Sequence, residues 1–284
     1  KGFKKILTAD KKKLNLINQD AVLSFLKKEK PKCIFLAAAK VGGIYSNNKY
    51  KAEYIYENLM IQTNIIHSAY VTKIKNLIFL GSSCIYPKFS KQPIKEKYFL
   101  SGKLEETNDA YAIAKIAGIK LCQSYREQYG FNAISVMPTN LYGFYDNFDL
   151  KSSHVIPALI NKFINAKKNK QASVACWGTG KPLREFLYVD DLADSLYFLM
   201  NNYNDGEHIN VGTGKDISIH DLAYLIRDLV DYNGDIIWDK TKPDGTYRKV
   251  LDTTKINDLG WRHNTSLDEG LKKTIEWYKK NIND

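Results

Sequence analysis

Short, unbroken apolar runs separated by helical patterns constrain this chain more than any other feature. They are Cys33-Ile34-Phe35-Leu36-Ala37, Leu77-Ile78-Phe79-Leu80 and Ala133-Ile134-Ser135-Val136-Met137. A continuous apolar run of this length reads as a strand buried on both faces, and such strands belong to parallel sheets covered by helices. Helices are expected between them. One spans 20–28, with Ala21, Val22, Phe25 and Leu26 on its apolar face. A longer one spans 47–71, where Ala52, Ile55, Leu59, Ile66 and Ala69 recur at helical spacing and Gln62 interrupts the stripe. A third spans 111–129. A short strand is expected at 3–7, and 33–37 is expected to be fully buried. Beyond Gly143 the pattern predicts a helix at 154–166, a strand at 173–177, a strand-like run at 208–212, a helix at 219–230, a short strand at 236–238 and a helix at 267–278. The fold class is α/β: a Rossmann-like, doubly wound parallel sheet with a smaller α/β C-terminal substrate region.

Composition narrows the function classes. The 284 residues are 44% hydrophobic and 26% charged, enough to bury a real core. No apolar run approaches the ~18 residues of a membrane span. No apolar h-region follows the basic start Lys1-Gly2-Phe3-Lys4-Lys5, so it does not read as a signal peptide. Cys33, Cys84, Cys122 and Cys176 show no CxxC spacing, which suggests neither a zinc site nor a disulfide framework and points to a reducing cytoplasm. The net charge of +11 admits a nucleic-acid partner or an anionic nucleotide substrate. The lysine clusters are scattered and lack interleaved aromatics, so solvated helix ends and loops explain them more simply, and no nucleic-acid partner is expected.

Chemistry concentrates in Tyr111-Ala112-Ile113-Ala114-Lys115. One helical turn separates the phenol from the ammonium, so both lie on one face. A cation there favours the phenolate and would make the tyrosine a usable proton donor. An isolated pair of this kind is ordinarily a surface tyrosine and a solvated lysine. The odds change because Gly81-Ser82-Ser83-Cys84-Ile85-Tyr86-Pro87 directly follows an apolar strand. A hydroxyl at a strand end beside a Tyr/Lys helix can protonate a carbonyl oxygen while hydride reaches its carbon. Two Gly-Thr-Gly-Lys stretches, at 178–181 and 212–215, look like the tail of a phosphate loop, but neither lysine is followed by Ser or Thr.

On these segments the chain resembles the extended short-chain dehydrogenase/reductase family, and within it the branch that epimerises and reduces GDP-4-keto-6-deoxymannose. The resemblance runs from about Leu14 to the C-terminus. It is carried by Leu36-Ala37-Ala38-Ala39-Lys40-Val41-Gly42-Gly43-Ile44, by 81–87, 111–120 and 137–143, and by Ser153-His154-Val155-Ile156-Pro157. It implies a dinucleotide-binding region at 1–143, rejoined by 185–212, and a substrate-binding region at 144–184 and 213–284. The strand 3–7 would be a later strand of the sheet. The family's central first strand and glycine-rich turn are not found, so roughly 25 residues are expected to precede Lys1 in the whole protein. The segment 184–191 would return to the main sheet.

The resemblance also implies roles. Ser82, Tyr111 and Lys115 would reduce C4. Ser82 is preferred to Ser83 because the family's hydroxyl stands four residues before the tyrosine that is here Tyr86. Cys84 and His154 would be the base and acid that invert C3 and C5. NADP(H) is the implied cofactor, near Lys11, Ala38, Lys115, Pro138 and Asn140. The basic run Lys11-Lys12-Lys13 favours a 2′-phosphate. Ser83, Asn140, His154, Lys162, Trp177 and Arg184 would meet the GDP-sugar. Family members more often carry Arg where Lys162 stands. Arg184 could instead pair with Glu185 or Asp190, and Asn140 could hold a backbone turn. The turn at 242–246 would be a substrate-side loop. The long helices would pair across a homodimer as a four-helix bundle. No metal is implied. Two alternatives stay open: a C4-reductase of a GDP-6-deoxy-4-keto-heptose for capsule polysaccharide, with the epimerase pair idle, and a non-catalytic nucleotide-binding protein on the same fold.

Overall fold

A computed structural model describes residues 3–150, 152–242 and 244–282. Helix α1 (Gln19–Glu29) starts where the Asn18 side chain accepts the Ala21 N–H at 3.0 Å, and it leads into strand β1 (Cys33–Leu36). Helices α2 (Ile44–Lys49) and α3 (Lys51–Val71) follow, then β2 (Asn76–Leu80), α4 (Asp109–Tyr129) and β3 (Asn132–Pro138). The chain continues through β4 (Asn140–Tyr142), α5 (Val155–Lys168), β5 (Ser173–Trp177), β6 (Leu183–Tyr188), α6 (Val189–Asn202) and β7 (Ile209–Val211). It closes with β8 (Asp216–Ser218), α7 (Ile219–Val230), β9 (Asp235–Asp239), β10 (Arg248–Lys249), α8 (Thr254–Asp258) and α9 (Leu267–Asn281).

The main sheet runs β1-β2-β3-β7, parallel throughout. Strand side chains alternate between faces, and the packing follows that alternation. Leu77 and Phe79 of β2, with Ala133 and Met137 of β3, pack among Val22, Ile66 and Ile119. Their neighbours Ile78, Leu80, Ile134 and Val136 face the other way, onto Leu192, Leu196 and Leu199 of α6 and Ile256 of α8. Helices thus cover both faces, as an all-parallel sheet requires. A separate core forms around Phe163, Leu222, Ile226 and Leu271, where α5, α7 and α9 pack on the paired strands β5 and β9 and on β6. Among the described residues no helix is long and apolar enough to cross a membrane.

The structure corrects several expectations. Residues 3–7 form no strand; Phe3 and Ile6 are exposed, and no described strand pairs with the free edge of β1. A lone extended segment has no ladder to join. For the same reason β1 is not fully buried, and Phe35 is exposed. The helix expected at 47–71 breaks at Tyr50 into α2 and α3.

The buried face of α3 also differs from the apolar stripe. It runs through Tyr54, Asn58, Gln62, Ile66 and Ala69, while Ala52 is exposed and Ile55 and Leu59 are half-buried. The buried amides face inward because loop and helix carbonyls await them. Asn58 exchanges hydrogen bonds with the Lys40 N–H (2.9 Å) and carbonyl (3.0 Å), and Gln62 Nε2 donates to the Ala114 carbonyl at 2.5 Å. Gln62 is therefore part of the seam between α3 and α4. Finally, 184–191 does not itself rejoin the main sheet: β6 pairs with β4, β10 and β8, and the return is made by α6 and β7.

Candidate active site

Ser82 follows the C-terminal end of β2, where ligands bind in open parallel sheets. Its hydroxyl accepts the Cys84 N–H at 3.3 Å and caps a single 3-10 turn over Ser83–Ile85. That turn brings Ser82, Ser83 and Cys84 together against the start of α4. Tyr111 and Lys115 lie one turn apart on α4. The buried Lys115 ammonium donates to the Leu80 carbonyl at 2.7 Å and sits 4.8 Å from the Phe79 ring centroid and 5.8 Å from that of Tyr111. Burial lowers the Lys115 pKa to about 8. The Tyr111 phenol is pushed up by burial and by Cys84, while the Ser82 hydroxyl pulls it down. The expected lowering of Tyr111 by Lys115 is therefore not what this geometry gives. Desolvation is the largest cause, and the ammonium is directed to the Leu80 carbonyl.

Cys84 has partners that the sequence pattern does not reveal. Asn108 Nδ2 lies 3.3 Å from its sulfur, and Lys249 Nζ lies 3.6 Å away. Asn108 is the residue that precedes α4, close in sequence to Tyr111. Lys249 belongs to β10, and no local motif signals its approach. It places a positive charge beside the thiol. His154, the residue before α5, is exposed. Partial desolvation of its ring lowers its pKa, Asp146 opposes, and Lys249 adds to the lowering. One ammonium thus influences both Cys84 and His154. The Gly43 N–H donates to the Ser152 carbonyl at 3.2 Å, which fastens the loop after β1 beside the His154 segment.

Arg184 connects to these groups through the sheet. Lys249 and Arg184 are register partners between β10 and β6. Arg184 makes no pair with Glu185 or Asp190; it donates to the Leu183 carbonyl at 2.8 Å and to the Asp244 carbonyl at 3.5 Å. Burial lowers its pKa, opposed by Asp244. The exposed Trp177 ring has two ammoniums near it, Lys162 at 5.8 Å and Lys242 at 5.7 Å from its centroid. Lys162 also donates to the Ala175 carbonyl at 2.7 Å, and burial lowers its pKa. An aromatic face with flanking cations and a nearby guanidinium suits a base and diphosphate. Asn140 Nδ2 donates to the Glu185 carbonyl at 2.8 Å, the backbone role left open for it. In the 242–246 turn, Pro243 lies outside the described residues.

Both Gly-Thr-Gly-Lys stretches bind a carboxylate of this chain. The first receives Asp244, which accepts the Thr179 N–H and hydroxyl, each at 2.7 Å. The second receives the buried Glu185, which accepts the Thr213 and Gly214 N–H groups at 2.6 and 2.7 Å.

For the dinucleotide, the fitting observation is Lys115, which uses one of its three donors on Leu80. The remaining donors are available to sugar hydroxyls. Ala38 is exposed just beyond β1, and Pro138 ends β3. Lys11 is exposed, 3.8 Å from Glu57, which it shares with Lys40. Among the described residues no His, Cys, Asp and Glu cluster could hold a metal ion.

A parallel sheet with a serine at a strand end beside a Tyr–Lys helix defines the class of dinucleotide-dependent oxidoreductase folds, and residues 4–212 match the NAD dependent epimerase/dehydratase family. The chain belongs to that family. It is 54% identical over 281 residues to GDP-L-fucose synthase 1 of Arabidopsis thaliana, covering 99% of this chain and 87% of the relative. Among solved structures it is similar to a GDP-6-OMe-4-keto-L-xylo-heptose reductase from C. jejuni, with a TM-score of 0.94, 38% identity and coverage of 98% and 91%. It is also similar to MlghC, a GDP-mannoheptose C4 reductase from Campylobacter jejuni with NADP bound, with a TM-score of 0.90, 39% identity and the same coverage.

Proposed function

We propose that this protein is an NADP-dependent enzyme that inverts C3 and C5 of a GDP-4-keto-6-deoxy sugar and then reduces C4, completing GDP-L-fucose synthesis. The observation that carries this reading is the adjacency of two chemistries: Ser82, Tyr111 and Lys115 beside Cys84, which Asn108 and Lys249 contact. The relatives named above support the substrate and cofactor classes.

The C4 ketone acidifies the protons on C3 and C5. Cys84, held near Lys249, takes a proton from one face, and His154 returns one on the other. Ser82 then holds the C4 oxygen, and Tyr111 gives its proton to the forming alkoxide. When bound, NADPH supplies the hydride. Lys115 orients the sugar of the cofactor, with Ala38, Pro138 and Asn140 at the strand ends and Lys11 toward a 2′-phosphate. Lys162, Trp177 and Arg184 grip the nucleotide, and Ser83 positions the hexose. We assign 1–143 with 185–212 to the dinucleotide region and 144–184 with 213–284 to the substrate region; α5, α7 and α9 of the latter share one core, which Tyr142, Phe186 and Tyr188 join from the former.

A homodimer through α3 and α4 is part of the proposal. Tyr56 and Ile113 on these adjacent helices are 57% and 46% exposed. Ile113→Arg should convert the dimer to a monomer by light scattering. A cytoplasmic site is supported by four free cysteines. The second reading, a C4-reductase of an already epimerised heptose, is favoured by the similarity to the two C. jejuni proteins. Turnover of GDP-4-keto-6-deoxymannose with NADPH in D₂O, read by NMR, separates the two. Deuterium at C3 and C5 with inversion supports the bifunctional enzyme; a C4-reduced product without it supports the reductase.

A further inference from the structure

The residue that remains unexplained by this chemistry is Glu185. It is fully buried, and its hydrogen-bond partners are neutral groups of the chain. Its oxygens accept backbone N–H groups from two separate segments. Oε1 takes Thr213 (2.6 Å) and Gly214 (2.7 Å), and Oε2 takes Leu251 (2.8 Å). Successive backbone N–H groups curled around an anion form a nest, which can stabilise a buried charge without a counter-ion. The chain is shaped to this carboxylate. A Cβ on Gly212 would lie 2.2 Å from Oε1, and Gly214 has the positive φ of 69° that glycine tolerates.

The Leu251 contact matters because of what precedes it. The segment that carries Lys249 to Cys84 joins β6 through a ladder of only two register pairs, Arg248 with Leu183 and Lys249 with Arg184. So short a ladder fixes the segment against β6 only in part. Glu185, on the same strand β6, anchors that segment two residues beyond Lys249. The cleft wall clamps the same stretch: Gln92 Oε1 accepts the Val250 N–H at 3.0 Å, and Ile94 bridges to Leu251, its N–H donating to the Val250 carbonyl and its carbonyl accepting the Asp252 N–H, each at 2.8 Å.

We infer that Glu185 is a positioning residue: its carboxylate, seated in the 212–214 nest and on the Leu251 N–H, holds β10 in place so that the Lys249 ammonium faces the Cys84 thiol. Glu185 reaches Cys84 only through the backbone of β10 and the Lys249 side chain. This deepens the epimerase half of the proposed function and rests on it for its biological meaning, while its test does not require that substrate.

The test reads local charge at Cys84, whose titratable neighbours are Lys249 and Tyr111 and, across the same cleft, Lys88, Glu105 and Arg248; of these only Lys249 is altered between the variants compared. Alkylation of Cys84 is followed by peptide mass spectrometry with anionic iodoacetate and with neutral iodoacetamide. A facing ammonium favours the anionic reagent, so the iodoacetate-to-iodoacetamide rate ratio reports Lys249. Lys249→Met should lower the ratio several-fold. Glu185→Gln should lower it by a comparable factor, because the Gln amide presents an N–H₂ donor to the Leu251 or the 213–214 donors. General loosening of the fold raises both rates together and leaves the ratio unchanged, and NADPH binding checks that each variant is folded. A ratio unchanged in Glu185→Gln but lowered in Lys249→Met overturns the inference. A ratio unchanged in both overturns the Lys249–Cys84 pairing on which it stands. If Glu185→Gln does not fold, Gly214→Ala, which strains one donor of the nest and keeps the carboxylate, answers by the same criterion. Failure of the bifunctional reading would instead appear as missing deuterium at C3 and C5, with the reagent ratios intact.

Discussion

The hydride side and the epimerase side of this cleft are built differently. Ser82, Tyr111 and Lys115 sit on a strand end and a 21-residue helix, and Lys115 is locked by a carbonyl of β2. Cys84, His154 and Lys249 come from a 3-10 turn, a helix-start position and a two-residue strand. Regular elements packed on a sheet fix geometry through many shared contacts, whereas loop-borne groups depend on a few identifiable hydrogen bonds. The first set should therefore tolerate changes in its surroundings, and the second should be sensitive to single buried polar contacts such as those of Glu185 and Tyr86.

The largest expected effect sharpens that contrast. Tyr111→Phe removes the proton donor and should cut C4 reduction by about 100- to 10,000-fold while C3 and C5 deuterium exchange continues. NADPH absorbance and NMR on the same sample check both halves. Cys84→Ala should do the reverse, lowering exchange at C3 and C5 by about 100-fold or more. A pre-epimerised 4-keto sugar should still be reduced by that variant. Equal loss of both activities in either variant would break the division into two sides.

The third effect concerns the support of the Ser82–Cys84 turn. Tyr86 donates to Asn210 at 2.6 Å, and His208 Nε2 lies 3.0 Å from the same hydroxyl. Burial, with Lys255 nearby, lowers the His208 pKa to about 4 from 6.5. Between those values the unfolded chain holds the proton and the folded chain does not, so stability rises with pH there. The contribution is present above about pH 6.5, is lost as pH falls toward 4, and corresponds to roughly 3 kcal/mol. Urea unfolding at pH 7 and pH 4.5 should show this as a difference between the wild type and His208→Gln, whose dependence should be flatter.

The smallest effect strikes the rigid side. A Cβ at Gly118 on α4 would lie 2.4 Å from Phe79 Cζ and 2.9 Å from Gln62 Cδ. Gly118→Ala should cost about 1–3 kcal/mol by overpacking, read as a lower Tm. Cys84 alkylation in the folded protein should be unchanged if the two sides are independent.

Legibility in the sequence followed the range of the interactions. The helix 219–230 and the strand 173–177 stand where the periodicity places them, because each pattern is local. Tyr111 and Lys115 were readable for the same reason, being one helical turn apart. Gln62 misled, since an amide in an apolar stripe looks like a flaw until the Ala114 carbonyl is beside it. The Gly-Thr-Gly-Lys stretches looked like fragments of a phosphate loop because glycines around an anion look alike whether the anion is a ligand or the chain's own carboxylate.

The sequence by itself determined the parallel α/β class, the strand-end placement of Ser82 and the shared face of Tyr111 and Lys115. Those features depend on hydrophobic period and on spacing within one element. Only the tertiary structure decided that Lys249 faces Cys84 across 165 residues, that Glu185 fills the second glycine turn, and that burial pushes the Tyr111 phenol up. These outcomes depend on which distant segments meet and how much water they exclude, and neither quantity is encoded in local pattern.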